Sequence, residues 1–176
     1  MKSNTVVKLR TLIMNQIMQE LKDDNLYMIG VHEMSGVGKT TLVEEVAWKA
    51  EHDDCYVVVI KATVSNSAYL KGIQGQEEDV RKIQDQLADC LGLKFSELKR
   101  TTLRGKIIKE DKVLIIMDDV GRKIDLKEVG VPFGDQHKGY KLLLTSRDLN
   151  VLSKGMVTQH NFRLVTLSKE EGWSLF

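Results

Sequence analysis

Residues 29–42 read IGVHEMSGVGKTTL. A phosphate-binding loop has the form G-x-x-x-x-G-K-[ST] between a strand and a helix. Here Gly38, Lys39 and Thr40 supply its end, but the position of its first glycine holds Glu33. The tripeptide alone arises by chance in roughly one chain of this length in ten, so its surroundings carry the reading. The apolar run Leu26–Val31 leads into it and predicts a buried strand. After it, Lys39–His52 places Leu42, Val43, Val46, Ala47 and Ala50 at helical spacing with charges between them. In a strand–loop–helix of this kind the backbone N–H groups of Ser35, Gly36, Val37 and Gly38, with the helix N-terminus at Thr40 and Thr41, face phosphate oxygens. Lys39 then reaches the β- and γ-phosphates, and the Thr40 hydroxyl serves Mg²⁺. A glycine-rich turn with an exposed lysine is the plain alternative.

Glu33 weakens such a site without erasing it. If the position needs a backbone angle open only to glycine, a side chain costs about 1–2 kcal/mol. A carboxylate near the phosphates adds about 1–3 kcal/mol at intermediate dielectric. Together these lower affinity by about one to three orders of magnitude.

Outward from the loop, strand-like and helix-like stretches alternate. Tyr56–Val64 is β-branched and short, and predicts a strand; Glu77–Leu91 repeats the helical pattern. Val113–Met117 and Leu142–Thr145 predict two more strands, and Leu12–Leu21 an amphipathic helix ahead of the first. This order implies an α/β fold, a mostly parallel sheet with helices on both faces in three layers. Residues 1–25 are expected to be a linker or helix, and 26–176 the nucleotide-binding unit. Gly134–Gly139 reads as a loop and Pro132 as the edge of an element. KGIQGQ at 71–76 and RKIQDQ at 81–86 look like a local duplication.

Two further strand ends carry chemistry. Val113–Val120 reads VLIIMDDV, a strand closing on two acids about 80 residues beyond the loop. Open α/β sheets bind ligands at this edge. Asp118 would hold Mg²⁺, largely through water, and Asp119 would orient or deprotonate an attacking water. A solvated acidic turn is the alternative. Lys141–Arg147 reads KLLLTSR, which could aim Arg147 at a γ-phosphate; a surface salt bridge is the competing reading.

Composition narrows the class. The chain has 176 residues, 42% hydrophobic and 29% charged, with net charge +1. That is a soluble globular mix with no global field to recruit nucleic acid or membrane. No apolar run nears the roughly 18 residues of a membrane span, and the N-terminus lacks a signal-peptide core. Cys55 and Cys90 form no ligand or disulfide pattern and suggest small buried hydrophobes in a reducing, cytoplasmic setting. His52, His137 and His160 share no spacing with carboxylates or cysteines that would suggest zinc, and His32 before the loop reads as structural. Trp48 and Trp173 read as core, and Glu44, Glu45 and Asp53 as a solvated helix face.

Taken in order, the motifs resemble the NB-ARC nucleotide-binding domain of plant disease-resistance proteins of the coiled-coil class. Residues 28–42 match its P-loop, 113–120 its kinase-2 motif and 141–147 the motif bearing its sensor arginine. FRLVTLSKEEGWSLF at 162–176 matches the next one, whose core is L-S-x-x-E-x-W-x-L-F. The resemblance implies an ADP/ATP switch with slow ATP hydrolysis at most, signalling through receptor assembly and oligomerisation. It implies partner domains in the intact receptor: a coiled coil, ARC subdomains and leucine-rich repeats. By the same resemblance Arg10, the remnant of an upstream motif, would help bind the base. The sequence departs from the pattern at Glu33, at Ser35, and at Gly121 where tryptophan is usual. The segment around Asn66–Glu78 is longer than usual. The later G-L-P-L and M-H-D motifs are missing, so a fragment is expected. The alternatives are a non-binding fragment acting through protein contacts and a stand-alone P-loop NTPase.

Overall fold

Two strands, β3 (Val113–Asp118) and β4 (Tyr140–Ser146), are buried along their whole length. Such unbroken burial belongs to the middle of a parallel sheet covered on both faces. The structure, a computed structural model, describes residues 2–32, 39–53, 55–56, 58–64, 73–93, 100–132 and 139–164. The other strands are β1 (Met28–His32), β2 (Val58–Thr63) and β5 (His160–Arg163). The helices are α1 (Lys2–Glu20), α2 (Lys39–His52), α3 (Ile73–Cys90), α4 (Arg100–Lys109) and the single turn α5 (Leu126–Val129), with a π-helix at Val151–Met156.

The five strands run parallel in the order β2-β3-β4-β1-β5. Side chains alternate across the sheet, so each strand feeds two cores. Val113, Ile115, Met117, Leu142 and Leu144 pack under α3, α4, α5 and the π-helix. Leu114, Ile116, Leu143, Ile29 and Val31 pack under α1 and α2. The result is the three-layer α/β sandwich expected from the sequence. Ile17, Met18 and Leu21 bury the end of α1 in the second core. The Tyr56 hydroxyl donates to the Leu21 carbonyl at 2.7 Å, and buried Lys141 donates to the carbonyls of Asp23 and Leu26. This helix is part of the packed body. Among the described residues no helix is long and apolar enough to cross a membrane.

Two expectations are corrected. Trp48 is 60% exposed, because α2 turns its stripe of Leu42, Val43, Val46 and Ala50 to the sheet and Trp48 away from it. Its ring instead stacks on His52 with centroids 3.9 Å apart. Cys90 is exposed at the end of α3, and Cys55 is only half-buried before β2. Glu44, Glu45 and Asp53 are exposed as expected, yet each pairs with a cation: Lys61, Arg10 and Lys49. The suggested duplication falls largely within one continuous helix, α3. Pro132 is buried just past α5. Trp173, His137 and most of the 134–139 stretch lie outside the described residues. The sequence patterns did not mark α4, α5, the π-helix or β5.

Candidate functional site

Because β4 lies between β1 and β3, three chain segments converge at one edge of the sheet: the start of α2, the end of β3 and the end of β4. Asp118 shares its side-chain parity with Leu114 and Ile116, and Thr145 with Leu143. Both therefore lean toward the face covered by α2. Asp118 is buried, with 3% exposure, and accepts two hydroxyl hydrogen bonds. Thr40 Oγ1 donates to its Oδ2 at 2.9 Å, across 78 residues of sequence. Thr145 Oγ1 donates to its Oδ1 at 2.5 Å. The sequence assigned Thr40 and Asp118 each to Mg²⁺, and the structure brings the two side chains into contact.

Asp119 follows at φ 60°, a left-handed conformation that aspartate tolerates better than most residues. Its N–H donates to Thr145 Oγ1 at 2.9 Å. Val120 N–H then donates to the Thr145 carbonyl at 2.8 Å, and Ser146 Oγ to the Val120 carbonyl at 2.6 Å. The end of β4 thus staples the acidic turn. Arg147 Nε lies 3.5 Å from Asp119 Oδ1, with the arginine side chain 68% exposed. An exposed pair of this kind is worth about 0–1 kcal/mol, so Arg147 can leave it for a stronger anion at little cost. Of the two sequence readings of Arg147, the salt bridge is the one observed, just past the end of β4 and beside the acids that close β3.

The turn beyond is anchored from the other face. Arg122 Nε donates to Asp79 Oδ2 at 2.6 Å, and its Nη2 to the Gly75 carbonyl at 3.2 Å, tying the segment after the two acids to α3. Ile124 N–H donates to Met156 Sδ at 3.2 Å, tying the same segment to the π-helix. Sequence reasoning missed Thr145, Ser146, Asp79 and Arg122. A threonine two residues before Arg147 was a usable signal, since strand parity puts it level with Asp118; nothing local marked Asp79 or Arg122.

Arg10 pairs with Glu45 of α2, its Nη2 3.3 Å from Oε1, and so binds α1 to α2. Thr41 is exposed in the first turn of α2. Glu33, Ser35, Gly36, Val37 and Gly38 lie outside the described residues, as does the side chain of Lys39. A cavity of about 530 Å³ opens elsewhere, where strands begin rather than end, lined by Tyr56, Asp111, Lys112, Gly139 and Lys141. Its position sets it apart from the edge where open α/β sheets take ligands.

The Thr40–Asp118 pair fits Mg²⁺ on its donor chemistry. Both groups offer hard oxygen atoms, and Oδ2 of Asp118 already faces the hydroxyl at the head of α2.

The sequence profile of the NB-ARC domain family matches residues 10–176. Disease resistance protein At4g27190 of Arabidopsis thaliana is 34% identical over 182 aligned residues, which take in 100% of this chain and 17% of that protein. Disease resistance protein RPS5 of the same plant is 32% identical, covering 94% of this chain and 19% of its own length. The chain thus spans under a fifth of these relatives. Among solved structures, the Aeropyrum pernix ORC2 protein, described in ADPNP and ADP complexes, overlays 97% of this chain and 50% of its own. The TM-score is 0.51 at 15% identity, which is a likeness of fold.

Proposed function

This chain belongs to the NB-ARC family, and from that premise we propose that it is the ADP/ATP-binding switch domain of an intracellular plant immune receptor. The observation that carries the reading is the 2.9 Å hydrogen bond from Thr40 to Asp118. It joins the residue after the loop lysine to a buried acid at the end of a central strand, the pairing a phosphate-loop nucleotide site requires. The disease-resistance relatives supply the biological setting. Residues 26–176 are the nucleotide-binding unit, with the N-terminal helix docked against it.

Ser35, Gly36, Val37 and Gly38 present backbone N–H groups to the phosphates, Lys39 contacts the terminal ones, and Thr41 extends the helix N-terminus. Arg10 flanks the base. Thr40 and Asp118 would hold Mg²⁺, which when bound neutralises phosphate charge. Asp119 orients a water, and Arg147 leaves its exposed pair to contact the γ-phosphate, so that tri- and diphosphate produce different positions of one side chain. Hydrolysis is slow and resets the switch. In the whole receptor this domain works in the cytoplasm against a coiled coil, ARC subdomains and leucine-rich repeats, and oligomerises on activation.

The reading is tested by titrating the purified chain with fluorescent ADP and ATP in Mg²⁺. Saturable binding is expected, most of it abolished by Lys39→Ala and tightened at least several-fold by Glu33→Gly. A folded chain that shows no saturable binding at millimolar nucleotide refutes the proposal. Steady turnover above about one per minute would point instead to a stand-alone NTPase.

A further inference from the structure

Thr145 has no solvent exposure, and its hydroxyl contacts both acids of the site at once. A hydroxyl carries one proton and two lone pairs. The proton goes to Asp118 Oδ1 at 2.5 Å, and one lone pair accepts the Asp119 N–H at 2.9 Å. Each bond has a consequence. A carboxylate free to rotate can offer either oxygen, or both, to a cation. With Oδ1 held by Thr145, Oδ2 is the oxygen left facing Thr40. The second bond fixes the peptide that enters Asp119, whose backbone is left-handed at φ 60°. From that conformation the Asp119 carboxylate reaches Arg147.

Placement follows from topology. In register, Val31 of β1 lies beside Thr145 and Met117 of β3 beside Leu144. Thr145 therefore stands between the strand leading to the loop and the strand carrying the acids. A side chain on β2 or β5 could not reach both, because each of those strands borders only one of the two.

We propose that Thr145 is a positioning residue of the metal–nucleotide site. It selects the Asp118 oxygen presented to the Mg²⁺ that accompanies nucleotide, and it locks Asp119 in the conformation that reaches Arg147. The proposal rests on the nucleotide-binding reading above. It does not make Thr145 a ligand: the residue acts through the two acids.

The test compares wild type with Thr145→Val, which keeps the shape but loses both bonds, and Thr145→Ser, which keeps both. ADP affinity is measured with Mg²⁺ and again in EDTA. The Mg²⁺-dependent gain in affinity should shrink at least about tenfold in Thr145→Val and stay within about threefold of wild type in Thr145→Ser. Affinity in EDTA should be alike in all three. A second measurement needs no nucleotide: hydrogen exchange at the Asp119 amide should speed up in Thr145→Val and stay slow in Thr145→Ser. Should the valine variant fail to fold, Thr145→Ala carries the same comparison. The proposal is overturned if Thr145→Val keeps the full Mg²⁺-dependent gain, or loses affinity equally with and without Mg²⁺. Absence of nucleotide binding in folded wild type would defeat the functional reading by itself. The exchange measurement then decides the role of Thr145, and unchanged Asp119 protection in Thr145→Val overturns it.

Discussion

Replacing Arg122 by methionine should destabilise the protein far more than its partly exposed position suggests. The reason lies in the partner. Asp79 has a side chain only 4% exposed, whereas that of Arg122 is 26% exposed. The 2.6 Å contact from Nε to Oδ2 compensates the buried charge, and Asp79 Oδ1 has no hydrogen-bond partner among the described residues. Arg122→Met leaves that carboxylate buried and unpaired, a loss of about 3–5 kcal/mol. Water can follow the vacated path from the arginine side, so about 3 kcal/mol is expected. For a chain of this size that is about 6–12 °C in melting temperature, and a large part of a total stability of about 5–15 kcal/mol.

The opposite substitution is milder. In Asp79→Asn the amide oxygen still accepts from Nε, and the arginine keeps its route to solvent, so the loss is about 1–2 kcal/mol. The double variant Asp79→Leu/Arg122→Met buries no charge at all and should fall within about 1 kcal/mol of wild type. Urea unfolding of the four proteins at pH 7, followed by circular dichroism, measures each value. An Arg122→Met loss below about 1 kcal/mol would refute the reasoning. So would a double variant as unstable as Arg122→Met alone.

Two further predictions concern the sheet itself. Lys141 has its pKa lowered from the usual 10.5, chiefly by burial, with Asp24 and Asp23 partly opposing. The unfolded chain therefore binds more protons between the lowered value and 10.5, and stability should rise with pH across that interval. Lys141→Met should remove this rise. Tyr56, pushed above its usual 10.0 mainly by burial, acts the other way and lowers stability above that pH. Urea midpoints from pH 7 to 11 for wild type and Lys141→Met give the difference directly, and parallel curves would contradict the assignment. In β1, a Cβ added at Gly30 would sit 2.1 Å from Asn161 Oδ1, an atom held by Thr158 Oγ1 at 2.7 Å. Gly30→Ala should cost about 1–3 kcal/mol in thermal unfolding, and adding Asn161→Ala should recover much of it.

The sequence showed those parts of the fold whose physics is local. β3 and β4 were visible because a fully buried strand must be apolar throughout, and α2 because its buried stripe recurs every three to four residues. The edge strand β5 was not, since only Phe162 among its four residues is buried and no alternation has room to develop. Trp48 was misread for a related reason: its residue type suggested burial, while its angle around α2 decided against it. At the candidate site, Thr40 and Asp118 stood out in the sequence because each ends a recognisable run, and the two are in contact. The ion pair of Asp79 and Arg122 was not, because neither residue shows its partner until α3 and the turn after β3 are packed together.

Strand order explains why the remaining site residues escaped a linear reading. Asp118 and Thr145 lie 27 positions apart, yet they become neighbours because β4 pairs with β3 on one side and β1 on the other. That insertion puts a hydroxyl and an arginine from one strand end beside the two acids that close β3. Thr145 and Ser146 hold the acidic turn from the sheet, while Arg122 holds its continuation from α3. The acids are thus fixed from both sides, but Arg147 is bound only through an exposed pair at 3.5 Å. Rigid acids beside one loosely held cation leave Arg147 the least constrained of the three charged groups.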